Sequence, residues 1–494
     1  MDNFVDKLWI SLLTFLRGFD IILAEVLTVK NFFGKIKPFL IKFISYMKVD
    51  TKKKLAVFAV SAAVIVMLAA AAGACIDIFR ESNAPEPVST PVDLNKITDG
   101  TQNGINIIKR KPKSEPKAKN DAKAAADEDL SQYINTHDDA AAYTEKATRD
   151  EQIESMISEM PLGEKVYQMM FVTPEALCGK TLVTECDDAV KEGLSTYPVG
   201  GIILFSDNLS SKNQVSKLNA DLQSTSKIPL FIGIDEEGGS VSRLGSNHAL
   251  GFEKQPSAEE IGKSGDPSAA YSAAAKTAEG MKNLGFNLDF APVADVNSDE
   301  MSQIGDRAFS DSFDGACAFV SSYVSGLKDG GIVSVLKHFP GIGSASADTH
   351  KGRAEIAESF DSMRKNEFQP FISGIHAGAD FVMISHASPN CTTEKSPSSL
   401  SSEVVSGWLR GKLNFSGVTI TDSLSMRAIT DEYTTAAASV KAVSAGCDML
   451  LMPKDLTAAH SAIVSAVKSG EITEEHIDSS VRRILAAKKK RGII

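Results

Sequence analysis

The pattern of hydrophobic and polar positions changes at about residue 149, where short β-branched runs begin to alternate with longer helical stretches. This alternation is typical of βα units around a parallel sheet. Eight runs predict strands: 166–172, 200–205, 229–235, 287–293, 332–338, 380–386, 417–422 and 448–453. Eight such units predict an α/β protein whose residues 149–494 form one (β/α)8 TIM-type barrel. Ala-rich stretches between them, such as 269–285, suit the outer helices, and glycines at their ends suit helix C-caps.

A different pattern comes earlier in the chain, where residues 55–76 form an uncharged apolar run of 22 residues. At about 1.5 Å per residue, this run can cross a hydrocarbon core about 30 Å thick as one transmembrane helix. Lys52, Lys53 and Lys54 precede it, which predicts a cytoplasmic N-terminus and an extracytoplasmic body. A cleaved signal peptide is the competing interpretation, but the run begins far from the N-terminus. We expect a single-pass protein of the cell membrane.

The segments on either side of this run have no pattern of a folded core. Residues 1–54 are basic, and Phe, Ile, Leu and Lys mix over 31–48, as in a segment lying on an anionic membrane surface. A second, poorer hydrophobic helix over 8–27 is the alternative. Residues 77–148 are rich in Pro, Lys, Asp and Ala without apolar runs, which predicts a disordered linker.

Charge and cysteine content narrow the function classes. The formal net charge is −11, although residues 1–54 are positive, so the body is acidic and nucleic acid is not an expected partner. The six cysteines show neither a CxxC pair nor the Cys/His spacing of a zinc site, so we expect no metal and no cofactor. Cys178 and Cys186 bracket one polar loop and would be a candidate disulfide in an oxidising compartment.

Polar side chains follow several predicted strands, and in a barrel of this kind the active site lies at the C-terminal strand ends. Asp235 ends strand three, Lys337 and His338 end strand five, His386 ends strand six and Asp422 ends strand seven. Packing alone does not explain polar residues at so many strand ends. The sequence therefore predicts one enzyme site at this rim of the barrel.

The motifs around these residues resemble those of family 3 glycoside hydrolases, in particular the single-barrel β-N-acetylhexosaminidase branch. The resemblance is carried, in order, by FIGIDEEGGSVSRL (231–244), NLDFAPVADVN (287–297), IGDRAFS (304–310), KHFPGIGSASADTH (337–350) and ITDSLSM (420–426). It covers nearly all of residues 150–494. The resemblance implies a retaining hydrolase that removes terminal N-acetylglucosamine, often from peptidoglycan fragments, with a carbohydrate as its substrate partner.

The resemblance also assigns the catalytic roles. It implies that Asp422 is the nucleophile and that His350, oriented by Asp348, is the general acid/base. A neighbouring carboxylate holds an imidazole in one orientation and favours its protonated form. The structural alternatives are that Asp422 only caps the next helix and that His350 is an inert loop histidine.

Sugar binding is implied for five charged or polar residues of the same motifs. They are Asp235, Arg243, Arg307, Lys337 and His338. A carboxylate accepts two hydroxyl hydrogen bonds, and cationic side chains donate to sugar oxygens. The alternative for each is a salt bridge between neighbouring βα loops. Asp295 and His386 also stand at suitable strand ends, with less support.

The chain departs from the family's pattern at two positions, with Ser240 where EGGRV is usual and Ile342 where KHFPGHG is usual. Neither change removes the nucleophile, the dyad or the main binding residues. Four alternatives remain open: another family 3 β-glycosidase, a glycoside phosphorylase, a metal-dependent barrel hydrolase using His338, His350 and His386, and a catalytically silent, wall-binding anchor protein. Intact Asp348, His350 and Asp422 argue against the last, and the absence of a His-x-His pair argues against the third.

Overall fold

The computed structural model describes residues 150–298, 302–345, 347–349 and 351–494. The predicted cytoplasmic segment 1–54, membrane helix 55–76 and linker 77–148 lie outside the described residues. Within the described part of the chain, no helix has both the length and the apolar character needed to cross a bilayer.

Eight short parallel strands form the central sheet, and each lies within one of the eight predicted runs or overlaps it. They are β1 (Met170–Val172), β2 (Gly201–Ile203), β3 (Phe231–Ile234), β4 (Leu288–Asp289), β5 (Val333–Phe339), β6 (Phe381–Ile384), β7 (Val418–Thr421) and β8 (Leu450–Leu451). Neighbours in the chain are neighbours in the sheet from β1 to β7, and β8 pairs with β1. A parallel bridge between Ile420 and Met449 joins the two edges, so the sheet is nearly closed into a barrel.

Helices connect the strands and surround them. The α-helices are α1 (Glu151–Glu159), α2 (Leu162–Gln168), α3 (Pro174–Cys178), α4 (Asp188–Thr196), α5 (Lys212–Thr225), α6 (Ala258–Lys263), α7 (Pro267–Asn283), α8 (Phe313–Asp329), α9 (Phe360–Lys365), α10 (Phe368–His376), α11 (Arg427–Thr430), α12 (Thr435–Ala445), α13 (Leu456–Ser469) and α14 (Glu474–Lys490). A π-helix spans Glu403–Lys412, and short 3-10 turns span Ser206–Asn208, His248–Leu250, Gly305–Arg307 and Ser398–Leu400. The α/β barrel prediction is confirmed.

Two minor ribbons lie beside the barrel, one in the loop after β3 and one between the loops after β5 and β6. Glu236–Gly238 pairs antiparallel with Val241–Ser242, and Glu355–Ile356 pairs in parallel with Ser388–Pro389. The first ribbon matters for function because it begins immediately after Asp235. Its two strands hold the EEGGSVS motif in a hairpin above the barrel rim.

The first predicted strand began too early. Residues 166–168 belong to α2, which starts after Pro161 and buries Val166 completely, and the strand starts only at Met170. A short apolar run has no periodicity that separates a buried helix turn from a strand, and proline before a helix favours the helical start. The predicted helix over 269–285 corresponds to α7, whose N-cap Asp266 accepts from the Ser268 N–H.

Aromatic rings fill the barrel interior next to a glycine. Phe171 of β1 and Phe290, just after β4, meet edge to face with ring centroids 5.2 Å apart. A Cβ added at Gly233 of β3 would lie 2.8 Å from Leu288 and 2.9 Å from the Phe290 ring. Because packed interiors leave no room for such an addition, Gly233 is required for this aromatic packing.

Buried ion pairs secure the opposite, N-terminal end of the barrel. Asp380, just before β6, binds Arg491 at 2.6 Å, and Asp448, just before β8, binds Arg410 at 2.5 Å and Arg483 at 2.7 Å. Lys488 is fully buried near them and donates to Gln168 at 3.1 Å, and its burial lowers its pKa to about 7. Polar groups at this end of a barrel contribute to stability rather than to catalysis.

The cysteines of the described residues are free thiols, so the disulfide considered for Cys178 and Cys186 is not formed. The Cys178 Sγ lies 3.6 Å from the Pro174 carbonyl oxygen, while the Cys186 Sγ lies 4.0 Å from the Thr225 hydroxyl. The two thiols therefore contact different residues, and they lie at the two ends of the loop after α3.

Candidate active site

A chain of alternating charges lies at the C-terminal rim of the barrel. The Lys337 ammonium binds Asp235 at 2.8 Å and Glu237 at 2.6 Å. The Arg307 guanidinium reaches the same Glu237 through two parallel bonds of 2.8 and 3.0 Å. The order is therefore Asp235, Lys337, Glu237, Arg307. We call this set the rim ion network.

Burial makes the rim ion network electrostatically strong. Lys337 is 2% exposed and Glu237 is 8% exposed. Burial by itself raises the pKa of Glu237, but the adjacent Lys337 and Arg307 cations outweigh it and lower this pKa to about 2. Burial opposes the charge of Lys337 as well, yet Asp235 and Glu237 keep its pKa above the ordinary value. Glu237 and Lys337 therefore both remain charged at neutral pH.

A second cluster fixes His338, which follows Lys337 at the end of β5. The His338 Nδ1 lies 2.7 Å from the Asp295 carboxylate, and the His338 backbone N–H donates to the same oxygen at 3.0 Å. The other Asp295 oxygen accepts from the Ile342 N–H at 2.8 Å. A carboxylate at Nδ1 places the ring hydrogen there, so the Nε2 side is the one left to meet a ligand.

The loop that carries Arg243 is held by a buried carboxylate that the sequence did not single out. Glu236 accepts from the Ser242 hydroxyl at 2.5 Å and from the Leu244 N–H at 2.6 Å. Burial raises the pKa of Glu236, and these hydrogen bonds oppose that rise. The Arg243 Nε–H is buried and donates to no acceptor among the described residues. Arg243 is thus fixed through its backbone and keeps a donor available at the rim.

Asp422 lies in the turn that follows β7. Its N–H donates to the Ile384 carbonyl at 2.8 Å, and its Oδ1 accepts from the Ser423 N–H at 2.7 Å. The fully buried His386, which follows β6, contacts this turn: its Nε2 lies 2.9 Å from the Ser423 carbonyl and its Nδ1 lies 2.8 Å from the Ser399 hydroxyl. Since a carbonyl only accepts, Nε2 carries a hydrogen and donates. His386 therefore supports the backbone beside Asp422.

The loop after β5 approaches this turn. His350 and Ser346 lie outside the described residues, so the position of His350 remains a prediction. Of its neighbours, Asp348 lies 3.4 Å from the Lys351 ammonium, and the Thr349 carbonyl accepts from the Ala428 N–H at 3.3 Å. Ala428 belongs to α11, directly after the Asp422 turn. Thr349 is thereby attached to the helix that follows Asp422.

The structure brings some of the predicted site residues into contact and places others on separate loops. Lys337 binds Asp235 directly, and Glu237 links Lys337 to Arg307. His338 is next in the chain to Lys337, while Arg243 and Asp422 occupy separate loops of the same rim. Glu237 was missed, although it stands two residues after Asp235, because sequence does not reveal which of two adjacent glutamates turns towards Lys337. Among the described residues, which do not include His350, no three His, Cys, Asp or Glu side chains are arranged to hold a metal ion.

The strands and helices define a protein of the (β/α)8-barrel class with an ion network at its C-terminal rim. The family described as "Glycosyl hydrolase family 3 N terminal domain" matches residues 161–487. The chain therefore belongs to glycosyl hydrolase family 3, and the predicted family is confirmed.

Relatives and solved structures agree with this assignment. "Beta-hexosaminidase A" of Pseudoalteromonas piscicida is 31% identical over 63% of this chain and 56% of its own length. "Beta-hexosaminidase" of Xanthomonas axonopodis pv. citri is 34% identical over 54% of this chain and 80% of its own length. A family 3 β-N-acetylglucosaminidase from Paenibacillus superposes with a TM-score of 0.64 at 35% identity, covering 68% of this chain and 63% of that one. The chain thus spans little more than half of the first relative.

Glu237→Gln tests the rim ion network. At pH 7 the substitution removes the anion between the buried Lys337 and the half-buried Arg307, so we expect a loss of roughly 3 kcal/mol in the free energy of unfolding. Because the folded pKa is about 2 and the ordinary value is 4.5, this contribution is complete above pH 4.5 and is lost as the pH falls towards 2. Denaturant unfolding of both proteins between pH 7 and pH 3 measures the difference.

Glu259→Gln is the control, because Glu259 pairs with Lys263 on the exposed side of α6. An exposed pair contributes about 0.5 kcal/mol or less. Equal losses for the two variants, or a Glu237→Gln loss that does not change with pH, would contradict the assignment.

Proposed function

We propose that the protein is a retaining β-N-acetylglucosaminidase that removes terminal N-acetylglucosamine from glycans through a covalent glycosyl-enzyme. The observation that carries the proposal is the Asp422 turn at the end of β7, with one carboxylate oxygen held by the Ser423 N–H at the same rim as the rim ion network. A retaining mechanism requires a positioned carboxylate on one face of the sugar. The names of the relatives and of the Paenibacillus structure support the 2-acetamido substrate.

In the first step of the proposed reaction, the Asp422 carboxylate attacks the anomeric carbon while the glycosidic C–O bond breaks. His350, oriented by Asp348, gives its proton to the departing oxygen. In the second step water attacks the same carbon, His350 takes the proton of that water, and the Asp422 ester is cleaved. The two inversions restore the β-configuration. Asp422 is then a carboxylate again, and His350 is again protonated.

The substrate sugar would be held by the remaining rim residues. Asp235 accepts hydrogen bonds from hydroxyl groups, and Lys337, Arg307 and Arg243 donate to sugar oxygens. The unpaired Arg243 Nε supports its assignment, because a buried donor without a protein partner is expected to find one in the ligand. His338 has its Nδ1 on Asp295, which leaves Nε2 to accept from a hydroxyl.

We also propose that residues 55–76 anchor the enzyme in the cell membrane with its barrel outside, where cell-wall fragments derived from peptidoglycan would be its substrates. The support is the uncharged run of 22 residues and the lysines before it. A linker over 77–148 would let the barrel stand away from the membrane.

A panel of aryl β-glycosides that differ at the 2-position tests the substrate proposal. We expect the purified protein to hydrolyse the 2-acetamido glycoside with a kcat/KM at least about 100-fold above that of the 2-hydroxy glycoside, because a site built for a polar group rejects an analogue lacking it. Equal rates, or preference for the 2-hydroxy sugar, would assign the enzyme to another family 3 activity. Dependence on added phosphate would indicate a phosphorylase instead.

Substitutions at Asp422 and His350 should behave differently. Asp422→Ala should abolish activity on every substrate, because no glycosyl-enzyme forms. His350→Ala should slow substrates with poor leaving groups by roughly 10²- to 10⁴-fold, the usual span of general acid–base catalysis, but spare the first step with a good phenolate. Intact mass spectrometry should then show a glycosyl adduct on Asp422, and azide should discharge it. Equal loss on all substrates without an adduct would make His350 a structural residue.

Protease added to intact cells tests the topology. Cleavage within residues 77–148 should release an active soluble fragment, since a segment without a packed core would be the part of the chain most open to proteolysis. Permeabilised cells provide the control for total activity. Protection of the barrel in intact cells would reverse the proposed orientation.

A further inference from the structure

Contacts from two neighbouring loops hold the 3-10 turn that carries Arg307. We call residues 304–308 the arginine turn. On one side, the loop after β3 binds Asp306: the Ser240 N–H donates to one carboxylate oxygen at 3.1 Å and the Ser240 hydroxyl to the other at 2.5 Å. Both Asp306 oxygens are therefore engaged by a single residue. Asp306 is the immediate neighbour of Arg307 in the chain.

On the other side, an apolar contact joins the arginine turn to the loop after β5. Ile304 and Ala308 of the turn and Val293, after β4, form a small buried cluster separate from the main core. Ile342 packs against this cluster, and its N–H is held by Asp295. The loop that starts at Ile342 leads to Asp348 and His350. The arginine turn is thus attached to both loops that border the rim ion network.

Both sets of contacts hold the backbone that carries the Arg307 guanidinium. Arg307 binds Glu237 through Nε and Nη2, which requires the turn to present the side chain in one orientation. A carboxylate next to Arg307 would compete with Glu237 for it, but Ser240 holds Asp306 in a different direction. The Ser240–Asp306 hydrogen bonds and the apolar cluster therefore constrain the direction of the guanidinium and favour Glu237 as the anion it binds.

We propose that Ser240 and Ile342 are positioning residues that set Arg307 for the sugar, which rests on the sugar-binding role given to Arg307 in the proposed function. They are the two positions where the sequence departs from the motifs it resembles. In this chain both residues hold the arginine turn, Ser240 through Asp306 and Ile342 through the apolar cluster. Neither residue acts on the reacting atoms, so both influence substrate binding through Arg307.

A double-mutant cycle between Ser240 and Arg307 tests the proposal with the full chain and an aryl 2-acetamido-β-glycoside. Ser240→Ala should raise KM by about 3- to 10-fold with kcat within about twofold, because a displaced guanidinium weakens ground-state and transition-state binding alike. Ser240→Thr keeps the hydroxyl and should restore the original KM. In an Arg307→Ala background, Ser240→Ala should have no further effect.

Ser268→Ala is a closely matched control. Ser268 also donates its N–H and its hydroxyl to the two oxygens of one carboxylate, that of Asp266, at 2.9 and 2.7 Å. This pair lies at the start of the outer helix α7. Its loss should leave both kcat and KM within about twofold of the original values, since it has no path to Arg307.

Substitutions at Ile342 test the apolar contact with the arginine turn independently of Ser240. Ile342→Ala should raise KM in the same range, and Ile342→Val, which keeps most of the packing, should have a smaller effect. Three results would overturn the proposal: a Ser240→Ala effect equal to that of Ser268→Ala, an effect confined to kcat, or full additivity with Arg307→Ala. If the original enzyme instead prefers another glycoside, the substrate proposal fails, and the same cycle on that glycoside still tests the positioning role.

Discussion

The candidate site depends on one physical constraint, the mutual neutralisation of charges that could not be buried alone. Moving a single ammonium or carboxylate out of water costs several kcal/mol, and the attraction of an opposite charge offsets this cost only at close range. Lys337 meets this condition between Asp235 and Glu237, and Glu237 meets it between Lys337 and Arg307. The charges are therefore interdependent, and so are the elements that carry them, namely the loops after β3 and β4 and the strand β5.

Hydrogen bonds, some of them to carboxylates, also join the loops of this rim and orient the side chains of the site. Asp295 ties the end of β5 to the loop after β4, and Glu236 fixes the backbone beside Arg243. His386 supports the turn of Asp422 from β6. Each of these buried groups uses its hydrogen-bonding capacity on backbone as well as side chains. Such second contacts hold reactive groups within the small tolerances that catalysis requires.

The barrel separates stability from function along its axis. At the N-terminal end, Asp380 and Asp448 pair with arginines of the π-helix, the last helix and the residue that follows it, closing the structure on itself. At the C-terminal end, charges are paired in the rim ion network, while the buried Arg243 Nε has no partner among the described residues. This division explains how one fold combines a rigid base with a rim whose loops determine the chemistry.

The sequence alone determined the eight strands, their parallel order and the rim position of Asp235, Lys337, His338 and Asp422, because strand periodicity and strand ends are local properties. It did not determine that residues 166–168 are helical, that Cys178 and Cys186 remain unpaired, or that Glu237 rather than Glu236 joins Lys337 and Arg307. Those outcomes depend on side-chain direction and on distances between loops far apart in the chain. Only the tertiary structure decided them, because burial and pairing of charge are properties of the assembled barrel.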